Sequence, residues 1–234
     1  KKISGAELPV LQNVNARKND IVIGNGNQNR QNKINDLTED GFRITNTDGI
    51  LHIVSGGGKG SISGAVTLLE HYMGVGYWGE NEYSLQHAAT IDLPQINIAE
   101  NPAFRYRQSQ NYALATDSVY KLWMRLESPE EVFAAGYWVH TFDKLLPSAV
   151  YGKDHPEYYS FFNGKRHPGK ASQWCLTNPE VLEIVAIRID SIFRANPDKH
   201  IISVSQNDGN YTNCQCDNCK AIDEREGALS GSLI

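Results

Sequence analysis

The sequence predicts an α/β fold: a small N-terminal α/β domain over residues 1–98, then part of a (β/α)8 TIM-type barrel over 99–234. Three observations predict it. Ile201-Ile-Ser-Val-Ser-Gln-Asn-Asp208 is a β-branched apolar run ending in amide and carboxyl groups, as a buried parallel strand does when it delivers polar side chains to a site. A helix precedes it. Thr177-Asn-Pro-Glu180 has capping-box spacing with Pro inside the start, Val181, Leu182, Val185, Ile189, Ile192 and Phe193 follow at helical spacing, and Asn196-Pro197 stops it. Past residue 98 the pattern alternates strand and helix, and in such units ligands bind at the carboxyl ends of strands. Gln206, Asn207 and Asp208 are therefore expected close to any chemistry.

Bulk composition narrows the class. The chain has 234 residues and a formal net charge of -5, with no long run of one sign, so a nucleic-acid partner is not expected. A hydrophobic fraction of 40% is that of a soluble globular protein, and no stretch approaches the roughly 20 apolar residues of a membrane span. The first residue is Lys1 and no signal peptide is present. Gly227 to Ile234 reads as the start of a new helix. Both ends are expected to be cut from a longer, exported protein.

In chain order, Lys1 to Val10 reads as a helix tail, a Ser-Gly turn and a strand near Leu8. Asp20 to Gly24 is a short buried strand, and Asn25 to Asn35 a polar loop. Gly41 to Thr45 alternates apolar and polar residues, Asn46 to Gly49 is a turn, and Ile50 to Val54 is the partner strand. Gly56-Gly-Gly-Lys-Gly60 leads into a helix from Ser61 to Tyr72. It is not a phosphate loop, because Lys59 is followed by Gly60 rather than Ser or Thr; a tight strand-to-helix connection is expected. Tyr77-Trp78 is expected to pack on the hairpin. Ala88 to Pro94 is a last strand, and Pro94 to Pro102 a linker. This domain has no acid pair, metal cluster or nucleophile motif.

Beyond the linker, Ala103 to Ser109 is a strand, Ser118 to Glu127 a helix, and Gly136 to Phe142 a strand with His140 near its end. Tyr151 to Arg166 is a long aromatic loop, and Ser172 to Leu176 a short strand. Only about half of the eight units of a barrel are present. The exposed edge of a half barrel predicts an inactive fragment, or one that self-associates.

Several polar, aromatic and sulfur side chains could serve a ligand or the fold itself. His140 and Asp143 follow a strand and could contact sugar hydroxyls. Trp174, Tyr112, Tyr137 and Trp138 could stack on a pyranose ring or belong to the core. Arg105 and Arg107 could hold a substrate carboxylate, as a uronic acid requires, or be structural. Asp208 could be a general acid or base, or cap the following loop. Cys175, Cys214, Cys216 and Cys219 fit a disulfide, Cys175 pairing with one of the other three, or free thiols; a four-cysteine zinc site is the alternative. No cofactor is expected.

The run Cys175-Leu-Thr-Asn-Pro-Glu-Val181, the helix, Ser203-Val-Ser-Gln-Asn-Asp208 and Cys216-Asp-Asn-Cys219 resembles the fourth barrel strand of glycoside hydrolase family 20, the β-N-acetylhexosaminidases. That strand ends in Gly-Gly-Asp-Glu, often followed by a Cys-x-x-Cys helix start. The hairpin, Gly-rich turn and Leu-Leu-Glu helix of the first domain resemble the small α/β domain before that barrel, which family 67 α-glucuronidases also carry. His140-Thr-Phe142, His155-Pro-Glu-Tyr158 and Ser205-Gln-Asn-Asp208 are similar to segments of bacterial glycosidase-like proteins of the domain-of-unknown-function type. The resemblance implies glycoside hydrolysis on a hexosamine- or uronic-acid-containing glycan. It places Asp208 where the general acid stands and Asn207 where an Asp orients the acetamido group. Gln206, His140, Asp143, Trp174, Arg107 and Tyr211 are the candidate substrate contacts beside them. A non-catalytic carbohydrate binder on a degenerate scaffold is the rival reading.

Overall fold

A computed structural model describes residues 3–12, 15–24, 34–111, 116–209 and 212–233. Helix and strand are mixed throughout, as expected of an α/β chain. The chain divides into two compact units, Lys1–Glu127 and Ser128–Ile234, so residues 99–127 fall in the first. No helix among the described residues is long and apolar enough to cross a membrane.

The first unit is built on a hairpin. Strand β2 (Phe42–Thr47) pairs antiparallel with β3 (Ile50–Ser55), Thr47 opposite Ile50. Asp48 and Gly49 between them take φ of 54° and 74°, the double positive φ of a two-residue turn that matches strand twist. Strand β1 (Ile21–Ile23) joins β3 in parallel, but at the sheet edge, where Ile21 and Ile23 stay exposed rather than buried. Helix α1 (Gly60–Thr67) runs on into a π turn, Leu68–Tyr72, over one face of the sheet. Phe42, Ile44, Leu51, Ile53, Leu68 and Ile96 form the core between them. A Cβ on Gly64 would stand 2.6 Å from Ile53, so the missing side chain lets helix backbone lie on the sheet. Gly56 likewise packs against the Thr38 backbone, and the Gly-rich turn is a close-packed connection.

Two small strands, β4 (Gly76–Gly79) and β5 (Glu82–Ser84), form a separate ribbon. Tyr77 is buried there with Val66, Val75 and Trp123, whereas Trp78 points outward, 66% exposed, because the ribbon has only one covered face. The expected strand at Ala88–Pro94 is not formed. The fourth strand of the main sheet is instead β6 (Asn97–Glu100), within the stretch read as a linker, giving the order β1-β3-β2-β6. Asn46 fixes that placement: its side chain donates to Pro94 O at 2.6 Å and accepts from Ile96 N at 2.7 Å. No strand forms near Leu8, where the chain is exposed and irregular, or at Ala103–Ser109. The Arg107 N–H, which a ladder would need, is donated to the Glu127 carboxylate at 2.8 Å. Helix α2 (Ser118–Trp123) ends four residues before the expected Glu127, because Arg125 turns to φ 53° and its guanidinium binds Trp123 O, Thr67 and Glu70.

The second unit holds the short helices α3 (Pro129–Val132), α4 (Phe142–Leu145) and α5 (Ser148–Tyr151), a small hairpin of β7 (Phe161–Phe162) and β8 (Lys165–Arg166), the long helix α6 (Pro179–Ala195) and α7 (Asp217–Glu226). The cap of α6 is Asn178, whose side chain accepts from Glu180 N, with Pro179 in the first turn; the true capping box is Ser128 with Glu131. Val181 and Val185 bury one face of α6 against Phe142, Leu145, Leu146, Tyr158, Tyr159 and Trp174, while Leu182 stays 71% exposed.

Ile201–Asp208 is not a buried strand. Its one ladder contact is a parallel bridge from Ile201 to Phe133, and its residues are partly or fully exposed. It nevertheless runs beside 133–141: Ala134 N donates to Ile201 O, Ser203 N to Tyr137 O and Thr141 N to Ser205 O. Thr141, fully buried, replaces ladder contacts with its hydroxyl, which donates to Ser203 O and accepts from Ser205 N. Gly136–Phe142 is likewise not a strand, since Ala135, Gly136 and His140 take positive φ. Ser172–Leu176 contributes only the Trp174–Tyr159 bridge. Among the described residues of this unit no parallel sheet forms. The aromatic loop starts at the last residue of α5 and contains a 3-10 turn at Pro156–Tyr158 and the β7–β8 hairpin, and Gly231–Leu233 is a 3-10 turn.

Candidate functional site

Two places in the second unit gather chemistry. The first is a polar rim where 133–141 and 201–208 end together. His140 Nδ1 lies 3.0 Å from Gln206 O. A carbonyl only accepts, so Nδ1 carries the proton and Nε2 is the free base in neutral imidazole. That Nε2 faces Asp208 Oδ2 at 3.4 Å, and the Asp208 carboxylate is 94% exposed. His140 holds φ 53°, a strained value for a non-glycine residue of the kind that clusters at functional sites.

The expected residues sort differently around this rim. Asn207 belongs to the wall: its amide donates to Ser172 O at 2.7 Å and Lys170 O at 3.3 Å, and its backbone is clamped on both sides by the Gln173 side chain. Gln173 is buried and was not singled out by sequence; nothing in its neighbourhood marks it as a clamp. Asp143 is a structural cap, its carboxylate accepting from Ser148 N at the start of α5. Trp174 is core, 3% exposed and stacked on Phe142 at 3.7 Å between centroids. Tyr137 packs partly buried against the same core with Lys144 over its ring, and Trp138 is partly buried. Arg107 lies in the first unit, committed to Glu127, Arg125 O and Phe104 O, with Asp40 at 3.6 Å; Arg105 is exposed. Tyr211 and Tyr112 lie outside the described residues. His140, Gln206 and Asp208 are what remains of the expected sugar site.

The second place is the thiol cluster. Cys175, Cys214 and Cys219 are buried and Cys216 partly so. All four Sγ atoms lie within 4.8 Å of one another, Cys175 at 3.7 Å from Cys216 and 4.0 Å from Cys219. All four are free, and these separations are about twice a disulfide bond, so the expected Cys175 disulfide is not formed. Local structure converges them. Cys216 caps α7 and Cys219 sits in its first turn, Cys175 precedes the cap of α6, and Cys214 accepts from Phe161 N at 3.4 Å on the β7–β8 hairpin. Thr177 Oγ1 is 3.2 Å from Cys219 Sγ, and Arg166 Nη1 donates to Cys214 Sγ at 3.7 Å. Hydrogen bonds from Cys214 and Cys219 hold the Cys175 thiol far below its ordinary range, and the same contacts push Cys214 and Cys219 up. A second group, His155, Glu157 and Glu180, is solvent-facing, with Glu180 accepting from the Tyr158 hydroxyl.

No curated protein and no solved structure matches the chain. One family model does, over residues 77–234, which takes in both the rim and the thiol cluster. That match covers well over half of the 234 residues, and the chain belongs to the family described as Domain of unknown function (DUF4838).

Proposed function

We propose that the protein is a carbohydrate-active protein of glycosidase type, binding a hexosamine- or uronic-acid-containing glycan at the rim of His140, Gln206 and Asp208. Asp208 is the general acid or base. The observation that carries this reading is the exposed Asp208 carboxylate facing the His140 imidazole at 3.4 Å, at the common end of two parallel segments. Once a proton is taken up on Nε2 or on the carboxylate, such a pair can pass it to a glycosidic oxygen, and both groups can bond sugar hydroxyls. The resemblance to family 20 glycosidases supports that role for Asp208. On this reading 133–141 and 201–205, hydrogen-bonded side by side, belong to part of a (β/α)8 barrel in an exported protein. The open edge beside them would be covered by the rest of the barrel or by a second copy.

The rival reading, a non-catalytic glycan binder, is favoured by one observation. A glycosidase needs a second carboxylate; Asn207 is an amide spent on two carbonyls, and Asp143 is spent on the α5 cap. A panel of aryl glycosides and uronic-acid oligosaccharides, with Asp208→Asn beside wild type, separates the two. Turnover that falls at least about a hundredfold in the variant supports the general-acid role. Turnover untouched by the variant removes Asp208 from the chemistry, and binding without turnover establishes the binder.

A further inference from the structure

We propose that Cys175, Cys214, Cys216 and Cys219 form a mononuclear zinc site that is structural and closed. A tetrahedral ion with Zn–S arms of about 2.3 Å sets its sulfurs about 3.8 Å apart. Cys175 meets two of its partners at 3.7 and 4.0 Å, and no pair of the four exceeds 4.8 Å. Four sulfurs with no oxygen or imidazole among them select a thiophilic ion, and four protein ligands leave no position for substrate.

The surroundings suit a charged complex. Zinc with four thiolates carries two negative charges in a mostly buried place. The Phe161 N–H and the Arg166 guanidinium donate to Cys214, and Thr177 lies within reach of Cys175 and Cys219. These are the outer contacts that orient and neutralise metal ligands. Cys216 is also the N-cap of α7 and Cys219 lies in its first turn, where the helix dipole favours negative charge.

The ion supplies what the local fold lacks. Residues 202–209 and 212–216 form no helix or strand, and the chain there is held by scattered hydrogen bonds. A metal joining Cys175 to Cys214, Cys216 and Cys219 ties the C-terminal end of this region to the start of α6. It also keeps four thiols reduced in an oxidising compartment. The site stands independently of the carbohydrate reading, because its ligands are none of the rim residues.

The test is metal analysis of the full protein purified without chelator, followed by cobalt substitution. About one zinc per chain is expected, together with four thiols that resist titration until the metal is removed. Cobalt(II) should give the visible d–d bands of a tetrahedral thiolate site. Cys216→Ser, at the most exposed of the four positions, should weaken cobalt binding at least about a hundredfold. Wild-type metal content and spectrum decide the matter even if that variant fails to fold. Iron in place of zinc, a disulfide found by mass spectrometry, or metal-free folded protein with no cobalt spectrum would each overturn the assignment.

Discussion

The Gln173 side chain grips Asn207 from both sides, its Nε2 donating to Asn207 O at 2.6 Å and its Oε1 accepting from Asn207 N at 3.1 Å. Two hydrogen bonds from one buried amide reproduce what a strand neighbour would have given. They fix the backbone one residue before Asp208 while Asp208 itself stays free in solvent. The rim is therefore a loop whose backbone is pinned by a buried side chain.

Asn207→Asp tests that support. The substitution places a carboxylate where the family 20 pattern has one. Here it would set one anionic oxygen against the carbonyls of Ser172 and Lys170, both of which now accept from Asn207 Nδ2. The expected outcome is a stability loss of about 1–3 kcal/mol in urea unfolding, with no gain in hexosaminidase turnover. An unchanged midpoint would mean that the wall is not held this way.

Arg107→Ala tests the reassignment of Arg107 from substrate to scaffold. Glu127 is buried, and burial raises its pKa against the opposing backbone N–H and charge of Arg107. Without the guanidinium, burial acts with less opposition and the folded-state pKa rises further. A carboxyl whose folded pKa is raised stabilises the protein only below that pKa and loses this as pH rises through it. The variant should lose about 3 kcal/mol at pH 7 and clearly less near pH 4.5, by denaturant titration at both values. Glycan affinity should not change.

Tyr158→Phe tests the contact between the core and the first turn of α6. The hydroxyl donates to Glu180, and that bond, with burial, pushes the Tyr158 pKa from 10.0 up to about 12. The neutral phenol is therefore preferred in the folded state. Its contribution is complete below about pH 10 and is lost as pH rises toward 12. The Phe variant should show a flatter loss of stability across that interval than wild type, followed by thermal melts at stepped pH.

The first unit was largely legible in sequence, because its signals are local. Alternation in Phe42–Thr47 and Ile50–Ser55, an Asp-Gly turn and a glycine-opened helix each carry their own geometry. The misplaced strand at Ala88–Pro94 shows the limit: Asn46, far away in sequence, decides where β6 begins. In the second unit the helix over Pro179–Ala195 was clear from its period, but Ile201–Asp208 was overread. Its apolar run looks like a buried strand, and only the Thr141 hydroxyl and the positive φ at His140 reveal why the ladder stops. Of the expected site, His140, Gln206 and Asp208 do meet. Trp174, Asp143 and Arg107 have residue types that serve cores, caps and buried ion pairs as readily as sugars, and here they do so.

The central claim, that glycan binds at the rim of His140 and Asp208, is tested most directly by calorimetric titration. Hexosamine and uronic-acid oligosaccharides would be titrated into wild type and into the double variant His140→Ala/Asp208→Ala. Both side chains are substantially exposed, so the variant should melt within about 2 °C of wild type. Wild type should bind at least one of these glycan classes saturably, and the variant at least about tenfold more weakly. Equal affinity in the two proteins, or no binding of either class by wild type, would contradict it.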